Sequence, residues 1–145
     1  MAITSAICTS FKVEILKGVH NFTATTGNTF KIALYDSDAT LGAGTTAFTT
    51  SEEITNTSGT AYTSGGASLT SVTPVADSTT AVCDFNNVDF TSASFTAYGA
   101  LIYNSSATNA AVAAIAFGSD ITATNGTFTI QFPAADASNA IIRLA

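Results

Sequence analysis

With 145 residues, 46% of them hydrophobic and only 10% charged, the chain is long enough to bury its own core and far poorer in charge than an ordinary globular protein. Its formal charge is -6, and the four cations, Lys12, Lys17, Lys31 and Arg143, are scattered; phosphate backbones are neutralised by clustered Lys and Arg, so nucleic acid is excluded as a partner. No membrane contact is expected either, because the longest apolar run, residues 110–117, is mostly alanine and too short to span a bilayer.

The first residues lack the basic start and apolar stretch of a secretion signal, which points to synthesis and retention in a cytoplasm. Solubility falls to hydroxyls: 26 Thr and 15 Ser suit the outward faces of strands, where the branched Cβ of threonine favours extended backbone. Cys8 and Cys83 fall in a predicted helix and a predicted strand, and two buried free thiols are expected. Four N-x-S/T sequons, at Asn21, Asn56, Asn104 and Asn125, are about what chance produces in so Asn-, Ser- and Thr-rich a chain.

Taken in order, residues 5–19 read as the one helix, with Ile7, Phe11, Ile15 and Val19 recurring every four positions, Leu16 widening the stripe and Gly18 placed to stop it. Phe22 is expected to pack just beyond. Residues 30–35 alternate as a strand, with Phe30, Ile32 and Leu34 inward and Lys31, Ala33 and Tyr35 outward. From 36 to 66 the pattern dissolves into a long surface loop, with short strands only around Ala47 and Tyr62.

After residue 67, turns punctuate strands at 68–75, 81–85, 88–91, 95–103, 111–117, 127–132 and 140–144. The stretch 95–104 is apolar on both parities and reads as a central strand buried on both faces, with Gly99 marking a bulge or a close backbone approach. Asn125-Gly126 is a hairpin signal that pins a hairpin between Ile121 and Phe132. The expected fold is mainly β: a single antiparallel β-sandwich domain, 1–145, jelly-roll-like, with one short N-terminal helix. Whether the strands make a jelly roll or a simpler sandwich is not written in the periodicity.

Chemistry is sparse. His20 has no second histidine to share a metal and reads as a surface or capping residue; no G-x-S-x-G elbow accompanies it. Asp36-Ser37-Asp38 opens like a calcium loop, but Leu41 stands where such a loop needs glycine and the closing glutamate is missing, so it reads as a solvated turn. Glu52-Glu53 reads as an exposed, solvated pair. A glycosidase would set two carboxylates across a groove lined with sugar-stacking rings, and the chain has no tryptophan. Gly65-Gly66 and Gly42-Ala43-Gly44 lack the lysine or third glycine of phosphate loops. No catalytic, cofactor-binding or metal residue is assigned, and no cofactor is expected; the composition is that of a structural or adhesive module.

Five stretches carry a resemblance: Ile7-Cys8-Thr9-Ser10-Phe11-Lys12-Val13-Glu14-Ile15-Leu16-Lys17-Gly18-Val19-His20-Asn21-Phe22, Phe30-Lys31-Ile32-Ala33-Leu34-Tyr35, Tyr62-Thr63-Ser64-Gly65-Gly66, Tyr98-Gly99-Ala100-Leu101-Ile102-Tyr103 and Ala137-Ser138-Asn139-Ala140-Ile141-Ile142-Arg143. Together they resemble small virion-associated proteins of tailed bacteriophages, over nearly the whole chain. The resemblance implies a non-enzymatic virion component on the capsid exterior, a head decoration (cement) protein that binds the major capsid protein. It also implies a homo-oligomer closed by cyclic symmetry, a trimer favoured. It transfers no functional residues. On that reading residues 1–22 and 36–66 make the contacts, against the alternative that the helix plugs one end of the sandwich. Two rivals stand beside it: a tail- or fibre-associated module that recognises a host surface through exposed Tyr62 and Phe48, and a hydrolase using Glu52 and Glu53.

Overall fold

A computed structural model of the chain describes residues 2–54 and 62–145. Strands take 50% of the chain and helix 6%, in two antiparallel sheets with one short helix, an arrangement consistent with the expected β-sandwich. The elements are β1 (Ala6–Ile7), α1 (Thr9–Leu16), β2 (Phe30–Tyr35), β3 (Ala67–Ser68), β4 (Ser71–Asp77), β5 (Thr80–Phe85), β6 (Val88–Asn104), β7 (Ala110–Ile130) and β8 (Ile142–Leu144). The larger sheet has the order β1-β7-β6-β2-β3 and the smaller β4-β5-β8.

The central strand is where the sequence placed it. β6 lies between β7 and β2, and from Gly99 to Asn104 every residue is buried. A Cβ on Gly99 would lie 2.6 Å from the Ile115 carbonyl oxygen and 2.6 Å from Ile3 Cδ1, so the missing side chain is a packing requirement.

β6 is longer than its pattern suggested, because the separate strands expected at 88–91 and 95–103 are one, broken in register rather than in pairing. The same holds for β7, which absorbs 111–117 and most of 127–132. The hairpin expected between Ile121 and Phe132 is therefore absent: Ala93 pairs with Gly126 and Phe95 with Ala123, so Asn125, at φ 47°, sits in a bulge opposite Ser94. An Asn-Gly pair supplies left-handed backbone equally well to a turn and to a bulge. Here the long-range ladder with β6 decides between them.

β2 has the predicted bounds but not the predicted sidedness. Ala33 and Tyr35 are as buried as Phe30, Ile32 and Leu34, since the following loop folds back over the strand: Ile54 N–H donates to the Leu34 carbonyl at 3.1 Å and Tyr35 Oη to that of Thr49 at 2.6 Å. The stretch expected as one strand at 68–75 changes sheets at Leu69 and Thr70, giving β3 and β4. Pro74 is tolerated because β4 is an edge strand whose register slips between Val72 and Val75.

The helix covers Thr9–Leu16 rather than 5–19, Ile7 having been taken into β1, where it pairs with Ala113. Gly18 does end it. At φ 71° Gly18 donates to the Ile15 carbonyl at 3.1 Å and Val19 to that of Glu14 at 3.0 Å, the two bonds of a Schellman cap. Of the expected apolar stripe only Phe11 is buried, while Leu16 is 89% exposed. Cys8 is the buried N-cap residue, not a helical one, and it and Cys83 are both free thiols.

One buried cluster spans the two sheets among the described residues, drawing Cys83, Phe85 and Ile142 from the smaller and Phe30, Leu101 and Val112 from the larger. Rings bridge the layers: Phe22 stacks on Phe30 at 4.2 Å, as its position beyond the helix suggested, Phe30 approaches Phe85 at 5.8 Å and Phe85 meets Phe132 edge-on at 5.5 Å.

Glycine spacing yields a graded stability test. Gly66, at φ 78°, has the Ile32 carbonyl where a Cβ would fall, whereas nothing lies within 4 Å of a Cβ on Gly44. Gly66→Ala and Gly99→Ala are each expected to lose about 3 kcal/mol or more in urea unfolding, and Gly44→Ala to change it by less than about 0.5 kcal/mol.

Candidate functional site

The loop that packs over β2 brings together most of the chain's unusual polar chemistry. Glu52 has a left-handed backbone, φ 60°, and Glu53 N–H closes the turn on the Thr50 carbonyl at 3.2 Å. The adjacent carboxylates consequently diverge, one facing out and one in.

Glu53 is not the solvated residue expected. It is 5% exposed, and three donors hold it: Tyr62 Oη and Gly65 N–H on Oε1, both at 2.6 Å, and Ser64 Oγ on Oε2 at 2.8 Å. A buried carboxylate persists only when its lone pairs are met in this way. Tyr62 in turn accepts from Leu34 N–H at 3.0 Å, and Tyr103 Oη donates to the Gly65 carbonyl at 2.6 Å, so the cluster ties the 62–66 turn to both β2 and β6. Tyr62 is thus 7% exposed and no part of a surface patch. Phe48 is half-buried, stacked on Tyr103 at 4.6 Å. Burial, followed by the hydrogen bond to Glu53, pushes the Tyr62 hydroxyl well above its ordinary range.

Glu52 turns the other way and joins Asp36 and Asp38, one ligand oxygen from each lying within 4.8 Å of the others. The backbone explains the convergence: Asp36 N–H donates to the Glu52 carbonyl at 3.1 Å and Asp38 N–H to Asp36 Oδ1 at 2.9 Å. Three carboxylates at this spacing offer oxygen ligands to a hard cation. In the sequence Asp36 and Asp38 stand together and Glu52 apart; only the fold unites them.

His20 is also not at the surface. Its side chain is fully buried, against the Phe11 ring at 4.8 Å, with Nε2 2.7 Å from Glu14 Oε2. Asn104 Nδ2 lies 3.0 Å from Nδ1 and donates to Asn28 Oδ1 at 2.9 Å. With Asn104 Nδ2 as donor, Nδ1 is the acceptor and Nε2 carries the hydrogen given to Glu14. This chain of four side chains joins the helix, the 21–28 turn and the end of β6. Asn104, wholly buried, is the member whose sequence context suggests only a turn former.

Asp84, 1% exposed, accepts from Phe85 N–H at 2.9 Å through Oδ1, and among the described residues its Oδ2 has no hydrogen-bond partner. Burial raises its pKa, an effect opposed by the N–H groups of Phe85 and Ile141. Elsewhere an apolar trough of about 660 Å³ follows the second half of β7, lined by Phe117, Ile121, Phe128 and Phe132. Among the described residues no helix is long and apolar enough to cross a membrane. Comparison with protein-family models, with curated proteins and with solved structures finds no match to this chain.

Adjacent glutamates with opposite surroundings make a paired prediction. Glu53→Ala removes the acceptor of three hydrogen bonds at a buried site and is expected to lose about 3 kcal/mol or more of stability in urea, while Glu52→Ala changes it by less than about 0.5 kcal/mol. Burial also pushes the Cys83 thiol from an ordinary 9.0 up to about 12, the charge of Asp84 adding to it, and raises Cys8 by the same main cause. The folded chain then keeps protons that the unfolded chain releases, so both thiols support the fold fully below pH 9.0; the support is lost as pH rises above that, for Cys83 as pH climbs towards about 12. Urea midpoints are expected to fall steadily from pH 9 upward, and at pH 8 both thiols to resist a disulfide labelling reagent until urea unfolds the chain.

Proposed function

We propose that the protein is a non-enzymatic virion structural protein of a tailed bacteriophage: a head decoration, or cement, protein that binds the major capsid protein on the capsid exterior as a cyclic homo-oligomer, a trimer favoured. The observation that carries this reading is the sequence resemblance, taken with where its residues lie. Residues 62–66 form the turn held by Glu53, residues 98–103 lie in the central strand β6 and residues 30–35 form its neighbour β2. Three of the five resembling stretches thus belong to the sheet and the turn packed on it, and the other two, 7–22 and 137–143, take in α1 and the approach to β8, so the likeness follows the scaffold and part of the proposed contact surface.

Chemistry supports the same choice. Of the Glu52–Glu53 pair a hydrolase would use, Glu53 is spent on holding a loop against the sheet while Glu52 stays exposed, and His20 is likewise tied into a structural hydrogen-bond chain. A shell under pressure from packaged DNA is reinforced by proteins that cover subunit junctions, and an acidic exterior protein has no need to touch the DNA. Residues 1–22 and the loop 36–66 are the proposed contacts; residues 55–61 of that loop, including the sequon at Asn56, lie outside the described residues, as does Met1. The tail or fibre alternative looks to exposed loop aromatics such as Tyr62 and Phe48, and with Tyr62 buried and Phe48 half-buried that patch has less support.

Quantitative mass spectrometry of purified virions tests the proposal. A copy number comparable to that of the major capsid protein is expected. A handful of copies per particle would move the protein to the tail, and its absence would overturn the virion reading altogether.

A further inference from the structure

A groove of about 600 Å³ runs between α1 and β8, with Ala6 and Ile7 of β1 and Ala43 completing its lining. From the helix it takes Phe11, Lys12, Ile15 and Leu16, a single helical face by their spacing. Phe11 is 1% exposed and supplies floor, whereas Leu16, at 89%, stands open at the margin. From the strand it takes Ile142, Arg143 and Leu144. One face of a strand would present only alternate residues, so a groove lined by three in succession runs along the strand's edge. That edge is open: β8 is the last strand of β4-β5-β8, and among the described residues only β5 pairs with it.

Charge adds a direction. Two of the chain's four cations, Lys12 and Arg143, line this groove, and no Asp or Glu does, in a protein of net charge -6. Lys12 has no ion pair among the described residues. Arg143 is braced through Nη1, which donates to the Ser138 carbonyl at 2.7 Å and, more weakly, to that of Ala137 at 3.4 Å. A guanidinium has five N–H donors, so bracing one nitrogen leaves others for a ligand.

We propose that this groove binds an extended peptide segment of a partner protein, alternating acidic and apolar residues, which adds a strand beside β8. Main-chain groups of the peptide meet the open edge, as in strand addition between an edge strand and a helix. Successive side chains point to opposite sides, so apolar ones enter against Phe11 and Ile15 while acidic ones meet Lys12 and Arg143. Only a peptide main chain offers the row of donors and acceptors that a strand edge needs, which favours it over an acidic amphiphile. The inference does not depend on the virion reading.

Fluorescence anisotropy on the full chain, with labelled Val-Glu-Val-Glu-Val and Val-Lys-Val-Lys-Val as probes, tests it. The acidic probe is expected to saturate and to be weakened by salt, with Lys12→Glu costing about tenfold in affinity. Lys17→Glu makes the same change of net charge outside the groove and is expected to leave binding within about twofold. Equal binding of both probes, no saturation by about 1 mM, or equal losses in the two variants would overturn the proposal. So would self-association, seen by sedimentation velocity, that Lys12→Glu abolishes and the acidic probe competes away, since the occupant would then be a second copy. Far-UV circular dichroism of both variants keeps a loss of binding distinct from a loss of fold.

Discussion

The antiparallel ladder between β6 and β7 is the constraint to which the rest of the chain answers. It runs from Val88↔Ile130 to Asn104↔Ala110, and a ladder of that length cannot stay flat, because each strand pair twists. The strain is taken up at four register shifts, and Ser92, Gly118 and Asn125 near them adopt left-handed backbone. Beyond those shifts β6 divides into two regimes. From Gly99 on it is buried on both faces, and before it alternates, with Phe90, Ala93, Phe95 and Ala97 inward. Each other element is placed by the half of this ladder it covers: β2 pairs with residues 99–104 of β6, and β1 reaches β7 only at Ala113 and Ala114.

So few charges leave the interior polar groups with unusual weight. Much of the polar surface is hydroxyl, as in the Thr96–Thr122 cross-strand contact at 2.8 Å, and two of the acidic side chains, Glu53 and Asp84, go inward instead. Glu53 and the Glu14–His20–Asn104–Asn28 chain do similar work from opposite directions: each fastens an irregular segment to the sheet through groups that lose their bonds together if one partner goes. Irregular backbone can lie close over a β-sheet only where its polar groups are satisfied. Here acid, imidazole and amide side chains meet that need.

What could be read from sequence follows from the range of the forces involved. The bounds of β2, the central place of β6, the need for glycine at 99 and the stop at Gly18 all depend on local periodicity or on one residue's backbone freedom, and these were legible. Glu52 and Glu53 look identical in sequence; their fates differ because Tyr62, Ser64 and Gly65 wait for one of them, and nothing local announces that. His20 looked exposed for the same reason, its partner Asn104 lying 84 residues away. Asn125-Gly126 failed differently. Its local signal was real, but a bulge and a turn ask for the same backbone, and thirteen paired positions between β6 and β7 outweigh a two-residue preference.

Open strand edges carry unpaired main-chain donors and acceptors, and the free edges of β7 and β8 are guarded differently. β7 beyond its contact with β1 is long and carries neither Lys nor Pro, the usual deterrents. Its protection is geometric: the bulges near Gly118 and Asn125 break the flat row of donors and acceptors that another strand would need. β8 pairs with β5 in unbroken register and has no such distortion, but it is only three residues long. A short, regular edge with a helix opposite and two cations beside it is too small to template aggregation and large enough to hold one extended segment. That contrast suits the edge of β8 facing α1, rather than the larger trough along β7, to the proposed strand addition.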